Sequence, residues 1–294
     1  MKTVAFHTLG CKVNTYETEA MQQLMESAGY RCVEFTERAD VYIINTCSVT
    51  NIADRKSRQM LHRARKMNED AIVVAAGCYV ESAKNKIDED LSIDIIVGNN
   101  NKNDIVNIIN EYLQDKIKNK FIIDINKETE YEEFNIRKIN DHTRAFIKVQ
   151  DGCNQFCSYC IIPFTRGRVR SRKMENILDE VKNLSASGYK EIVLTGIHLS
   201  SYNKRMEKLT QTEESDEEFV TKNELLCLIE NIANIEGIER VRIGSLEPRI
   251  IQENFIKSLS NIDKFCPHFH LSLQSGCDRT LKSMNRKYTA DEFY

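Results

Sequence analysis

Cys153, Cys157 and Cys160 fall within the segment CNQFCSYC, directly after the alternating run AFIKVQ at 145–150. Spacings of four and three residues let three thiolates bend round one metal centre. A zinc site of protein ligands alone needs a fourth Cys or His, and none follows at ligand spacing. A [4Fe–4S] cluster on three thiolates instead leaves one iron open to a small-molecule ligand. Cys11, Cys47 and Cys78 form a second, dispersed set, each following an apolar run: Lys2–Leu9, Asp40–Asn45 and Ala71–Ala76. If those runs are parallel strands of one sheet, their C-terminal ends share the edge at which ligands bind. Three thiolates there suit a second cluster. Spacing alone leaves the alternative of buried core thiols open.

The elements that must position these residues come as two series. Over residues 1–115 strand patterns alternate with helix patterns at Asn14–Ala28, Asn51–Asn68 and Asp104–Leu113, with a further strand at Asp94–Val97. This rhythm predicts an α/β domain with an open parallel sheet of the Rossmann or flavodoxin kind. Residues 116–138 are charged and rich in Asn, and read as a connector with a strand or two around the apolar run Phe121–Ile125. From 139 to 294 a second series follows: strands at Ala145–Gln150, Glu191–Leu194, Arg240–Ile243 and His268–Gln274, and helices at Glu175–Ala186, Thr221–Ile235 and Ile251–Leu259. A capping box, Thr221 with Glu224, opens the middle helix. The acidic stretch TEESDEE within 203–220 reads as a solvated insertion. Four strands make a partial, unclosed β/α barrel, apparently truncated at the C-terminus. In the last strand His268, His270, Ser272 and Gln274 share one face, a polar lining suited to a charged cofactor.

The chain has 294 residues, 41 basic and 44 acidic, for a net charge of −3, and ten cysteines. This composition excludes wholesale disorder and a uniformly basic coat. No run reaches the ~18 apolar residues of a membrane helix. The N-terminus shows no signal-peptide pattern, so a cytoplasmic protein with no membrane partner is expected. In a reducing compartment so many cysteines point to metal or redox work rather than disulfides. Cys32, Cys227, Cys266 and Cys277 read as ordinary core or surface thiols.

The C-x3-C-x2-C loop after a strand resembles the signature of radical S-adenosylmethionine enzymes. The segments HTLGCKVNTYET, INTCSVTNIADRKSRQ, AAGCY, DGCNQFCSYCIIPFTRGRVRSR, LTGIHLSSY, GSLEP and LSLQSGCDRTLKSMNR together resemble the methylthiotransferase family, in family order along almost the whole chain. The resemblance implies two [4Fe–4S] clusters, an auxiliary one on Cys11, Cys47 and Cys78 and a radical one on Cys153, Cys157 and Cys160. It also implies two uses of S-adenosyl-L-methionine, one as methyl donor and one as source of a 5′-deoxyadenosyl radical. GCKVN with NTCSVTNIADRKSRQ resembles the branch acting on N6-threonylcarbamoyladenosine at position 37, in the anticodon loop of tRNA. The isopentenyladenosine branch, the branch acting on ribosomal protein S12, and an inactive iron–sulfur or RNA-binding fragment are the alternatives. The family's C-terminal TRAM domain has no counterpart in this sequence. The sulfur donor and the electron donor cannot be named from it.

Tyr159, beside the third cysteine, stands where the superfamily places a residue against adenine. Thr195, Gly196, Ser245, Glu247 and Gln274 lie at strand ends and are expected at the cofactor. No catalytic side chain beyond the cluster ligands is expected. Two basic segments are candidates for tRNA phosphates. One is the helix bearing Arg55, Lys56, Arg58, Arg63, Arg65 and Lys66. The other is the loop with Arg166, Arg168, Arg170 and Arg172, some of which could instead hold the carboxylate of S-adenosylmethionine.

Overall fold

A computed structural model describes residues 1–83, 86–115, 119–134, 136, 143–203 and 223–294. The chain forms two compact units, Met1–Ile136 together with Cys160–Arg168, and Arg137–Tyr159 together with Val169–Tyr294.

The first unit is a parallel sheet covered on both faces. Its elements are β1 (Thr3–Thr8), α1 (Lys12–Ser27), β2 (Arg31–Val33), β3 (Val41–Thr46), α2 (Asn51–Met67), β4 (Ile72–Gly77), α3 (Cys78–Ser82), β5 (Ile95–Val97), α4 (Ile105–Asp115) and β6 (Asn119–Phe121). The strand order is β2-β1-β3-β4-β5-β6, and every neighbouring pair is parallel. Strands β3 and β4 are buried along their whole length, as expected where helices cover both faces. Alternate residues feed two cores. Val41, Ile43 and Val74 pack with Met21, Met25, Ile105 and Ile108 of α1 and α4, while Tyr42, Ile44 and Val73 pack with Leu61 and Ala64 of α2. Helix α2 starts where the Thr50 hydroxyl accepts the Ala53 N–H, and its buried Ser57, Leu61 and Ala64 recur at helical spacing.

The connector holds a strand, as expected, at residues 119–121, the edge strand β6 pairing Ile95–Val97. One detail departs from the sequence reading. The edge strand β2 is too short and too exposed, at three residues, to leave a pattern.

The second unit contains β7 (Ala145–Asp151), β8 (Arg170–Ser171), α6 (Met174–Ala186), β9 (Glu191–Gly196), α7 (Glu224–Ala233), β10 (Arg240–Ile243), β11 (Ser245–Leu246), α8 (Glu253–Ser260), β12 (His270–Leu271), α9 (Asp278–Ser283) and α10 (Ala290–Phe293). The short helix α5 (Ile162–Thr165) belongs to the first unit. β7, β9 and β10 run parallel in that order, and β8 returns antiparallel to β7. Beyond β10 the ladder continues through a bridge from Val241 to Phe265, then through β11 paired with β12. These parallel neighbours form the arc of an incomplete β/α barrel.

The expected strand His268–Gln274 is a correction: only His270–Leu271 is strand. The Tyr288 hydroxyl donates to the carbonyls of Ser272 and Leu273, which therefore leave the ladder. Gln274 then takes a φ of 64°, which breaks the alternation of faces. The Thr221 capping box and the acidic insertion lie outside the described residues; α7 is capped instead by Asn223, whose side chain accepts from Leu226 N at 3.2 Å.

Candidate active site

Cys11 follows β1 as the N-cap of α1, Cys47 follows β3, and Cys78 follows β4 as the first residue of α3. All three leave the C-terminal edge of the sheet. Chain order reverses between β1 and β3, so Cys11 and Cys47 flank the switch point where open α/β sheets form their crevice. Glycines permit the close approach. A Cβ on Gly10, at φ 104°, would stand 2.9 Å from Cys47 Sγ, and one on Gly77, at φ 94°, would stand 2.6 Å from Asn45 Oδ1. The thiols sense each other. Burial pushes the Cys47 thiol up, a backbone hydrogen bond from Val49 opposes it, and Cys78 and Cys11 push it up further. Ser57 is fully buried and closes on the Cys47 backbone, with its Oγ accepting from Cys47 N at 3.2 Å and donating to Cys47 O at 3.1 Å.

A buried polar network backs this edge. Asn99 Nδ2 donates to Cys78 Sγ at 3.8 Å and to Thr165 O at 2.7 Å, while its Oδ1 accepts from Lys102 Nζ at 2.8 Å. Lys102 also pairs with Glu17. The other oxygen of Glu17 accepts from Arg166 Nη1 at 2.9 Å, and Arg166 Nη2 donates to Asn14 Oδ1 at 2.6 Å. Asn14 Nδ2 donates in turn to the carbonyls of Leu9 and Thr46, tying the ends of β1 and β3 together. Glu17, Lys102 and Arg166 are essentially inaccessible, at 1%, 0% and 0% exposure, so their charges must be mutually satisfied.

In the second unit Cys153 and Cys157 are buried in the loop after β7, whereas Cys160 is half-buried and opens the segment that belongs to the first unit. Phe156 carries a left-handed φ of 49°, which turns the loop sharply between the first two thiols. Arg286 Nη1 donates to Cys157 Sγ at 3.4 Å. Burial lowers the affinity of Arg286 for its proton, but Cys157 and Tyr288 outweigh this and hold it more tightly.

The strand-end candidates are placed as follows. Thr195 is buried at the end of β9, and Gly196 sits so close to Gln150 that a Cβ would meet its Oε1 at 3.0 Å. Gln150 Oε1 accepts from His198 N at 2.6 Å. Glu247 is buried beside His198 and Arg249; burial pushes its carboxyl up, but these two partners bring it down to about 2. Ser245 Oγ lies 2.7 Å from His270 Nδ1. Tyr159 and Gln274 are exposed. Among the described residues no three Cys, His, Asp or Glu side chains gather tightly enough for a single metal ion.

Residues 3–98 match the model of an uncharacterized protein family, UPF0004, and residues 147–294 match that of the Radical SAM superfamily. The chain is 42% identical over 293 residues to the threonylcarbamoyladenosine tRNA methylthiotransferase MtaB of Bacillus subtilis, covering all of this chain and 62% of that protein. It is 39% identical to the MtaB of Aquifex aeolicus, covering 99% of this chain and 67% of the relative. The chain belongs to the radical SAM methylthiotransferase family. It spans about three fifths to two thirds of the length of these relatives. A tRNA-2-methylthio-N(6)-dimethylallyladenosine synthase of Thermoanaerobacter is 35% identical, with 99% of this chain and 60% of that protein covered. Among solved structures, a radical S-adenosylmethionine methyltransferase, TsrM, from Kitasatospora setae superposes with a TM-score of 0.63 at 15% identity, over 99% of this chain and 65% of that one, which shows the shared fold.

The donor sets fit what a radical SAM methylthiotransferase requires. Each is made of thiols, the donor type that a soft iron–sulfur site takes. Each also has a side-chain donor aimed at one of its sulfurs, Asn99 at Cys78 and Arg286 at Cys157.

The arginine loop does not meet the sequence expectation. Arg166, Arg170 and Arg172 are 0%, 3% and 2% exposed, and their charges face Glu17, Asp151 and Glu180. Phosphate contact needs an accessible cation, so these three are corrected from RNA contacts to interior ion pairs; Arg168 alone of the four is exposed. On α2, Arg65 is tied to Asp94 at 2.5 Å, whereas Arg55, Lys56, Arg58, Arg63 and Lys66 face solvent. Sequence reasoning missed Glu17, Asn99, Lys102, Gln150 and Arg286. The one available signal was Asn14, Glu17 and Thr18, three polar residues among the apolar ones on the inward face of α1.

Proposed function

We propose that this chain carries out methylthiolation of tRNA, placing a methylthio group on carbon 2 of N6-threonylcarbamoyladenosine at position 37 in the anticodon loop, in the cytoplasm. The observation that carries the reading is the pairing of two three-thiol sets, one at the sheet edge of the first unit and one in the loop after β7. Identity to proteins named for the threonylcarbamoyl substrate, at 42% and 39%, supports that nucleoside over the dimethylallyl one, at 35%.

Cys11, Cys47 and Cys78 hold an auxiliary [4Fe–4S] cluster, and Cys153, Cys157 and Cys160 hold a radical one. When bound, these clusters and S-adenosylmethionine supply the one-electron chemistry that opens an inert C–H bond. The protein orients, shields and balances charge. Thr195 and Glu247 present buried polar atoms at the strand ends for the cofactor, and the exposed cations of α2 meet phosphates.

The test is anaerobic reconstitution, iron and sulfide analysis, and mass spectrometry of digested tRNA. About eight irons per chain are expected, falling to about four when Cys11, Cys47 and Cys78 become Ala. The tRNA should carry 2-methylthio-N6-threonylcarbamoyladenosine. The dimethylallyl product alone overturns the substrate assignment, and a fully loaded chain that makes no methylthio nucleoside overturns the activity.

A further inference from the structure

Three consecutive residues, Met284, Asn285 and Arg286, grip the cysteine loop from 130 residues away in sequence. Their conformation follows from how α9 ends. Arg286 N donates to Leu281 O at 2.9 Å and Asn285 N to Lys282 O at 3.0 Å, the two bonds of a Schellman cap, with Asn285 at a φ of 58° in the left-handed position. The cap fixes three contacts at once. Met284 O accepts from Ser158 N at 3.1 Å. Asn285 Nδ2 donates to Gln155 O at 3.1 Å and Phe156 O at 3.0 Å, on either side of the left-handed turn. Arg286 reaches Cys157 Sγ at 3.4 Å, with its guanidinium stacked over the Tyr288 ring at 4.9 Å and Nη2 directed to Ser272 O at 3.5 Å.

We propose that Arg286 is a positioning residue that sets the reduction potential of the cluster held by Cys153, Cys157 and Cys160. Cluster potentials respond to net charge and to hydrogen bonds at the sulfurs. Each electron added to the cluster adds negative charge, and a fixed guanidinium beside a ligand sulfur favours the more negative state. Arg286 therefore makes the cluster easier to reduce, which is the entry to its chemistry. Being held by a helix cap and a ring, the cation needs no reorganisation when the electron arrives.

This inference rests on the proposed assignment of Cys157 as a cluster ligand. It is tested in a chain whose Cys11, Cys47 and Cys78 are replaced by Ala, leaving one cluster to observe. Iron analysis of that parent reports on the assignment itself: about four irons are expected, and none refutes the assignment whatever Arg286 does. Potentiometric titration followed by EPR then compares R286M, R286Q and R286K with the parent. The midpoint is expected to fall in R286M, to fall less in R286Q, which keeps a donor without the charge, and to stay near the parent in R286K. An R286M chain with its irons retained and its midpoint unchanged overturns the proposal. Loss of iron from R286M and R286K alike, with the circular dichroism preserved, makes the role of Arg286 purely structural and overturns it too.

Discussion

Replacing Glu17 by Gln isolates the interior charge balance of the first unit. The side chain is 1% exposed and its two oxygens serve two cations that are wholly inaccessible, Lys102 and Arg166. Glutamine keeps the shape and one acceptor but leaves two buried positive charges with no carboxylate. Breaking a buried ion pair by removing one partner costs about 3–5 kcal/mol. With a urea m-value of about 2–3 kcal/mol/M the unfolding midpoint should fall by about 1–2.5 M. The assay is urea unfolding followed by far-UV circular dichroism. Glu17→Leu combined with Lys102→Met and Arg166→Met removes all three charges and should recover most of the stability, because an apolar replacement carries no stranded ion. A Glu17→Gln midpoint within about 0.3 M of wild type would refute the argument, since it would mean that water reaches these charges.

Gly77→Ala should cost about 1–3 kcal/mol, from a left-handed backbone and a Cβ only 2.8 Å from Thr46 O, and iron analysis should show the Cys78 cluster gone while the other remains. Glu247, held near 2 in the folded chain against an ordinary 4.5, contributes stability that is full above about 4.5 and is lost as pH falls through about 2. Urea midpoints between pH 5 and pH 2 should therefore flatten in Glu247→Gln, and identical slopes in the two proteins would exclude the group. Arg55→Ala with Arg58→Ala should weaken tRNA binding and reduce the salt slope by about one unit for each phosphate no longer neutralised. Arg166→Ala should show its main effect in unfolding, and a change confined to RNA binding would reverse its assignment.

That Cys11, Cys47 and Cys78 leave one edge of the first sheet is legible because each follows an apolar run that reads as a strand, and parallel strands bring their ends to one edge. The arginines of RGRVRSR are not. Nothing local distinguishes a solvated basic loop from one whose guanidinium lies beneath a sheet edge, and the partner that decides Arg166 is Glu17, 149 residues away. The alternation HFHLSLQ misleads for a related reason. Whether a polar–apolar pattern becomes a strand depends on a partner for its carbonyls, and Tyr288 takes two of them.

The grip of residues 284–286 on the cysteine loop also sets an order of events during synthesis. At about 5–20 residues per second, roughly 6–26 s separate the emergence of Cys157 from that of Arg286, 129 residues later. Through that interval the loop has its thiols but none of its clamp. The auxiliary thiols lie within the first 78 residues, and the charge network behind them is complete once Arg166 is made. Chains stalled on the ribosome after residue 200 should thus protect only the auxiliary iron from chelators. The ribosome, by reading from one end, gives the first thiol set a head start over the second.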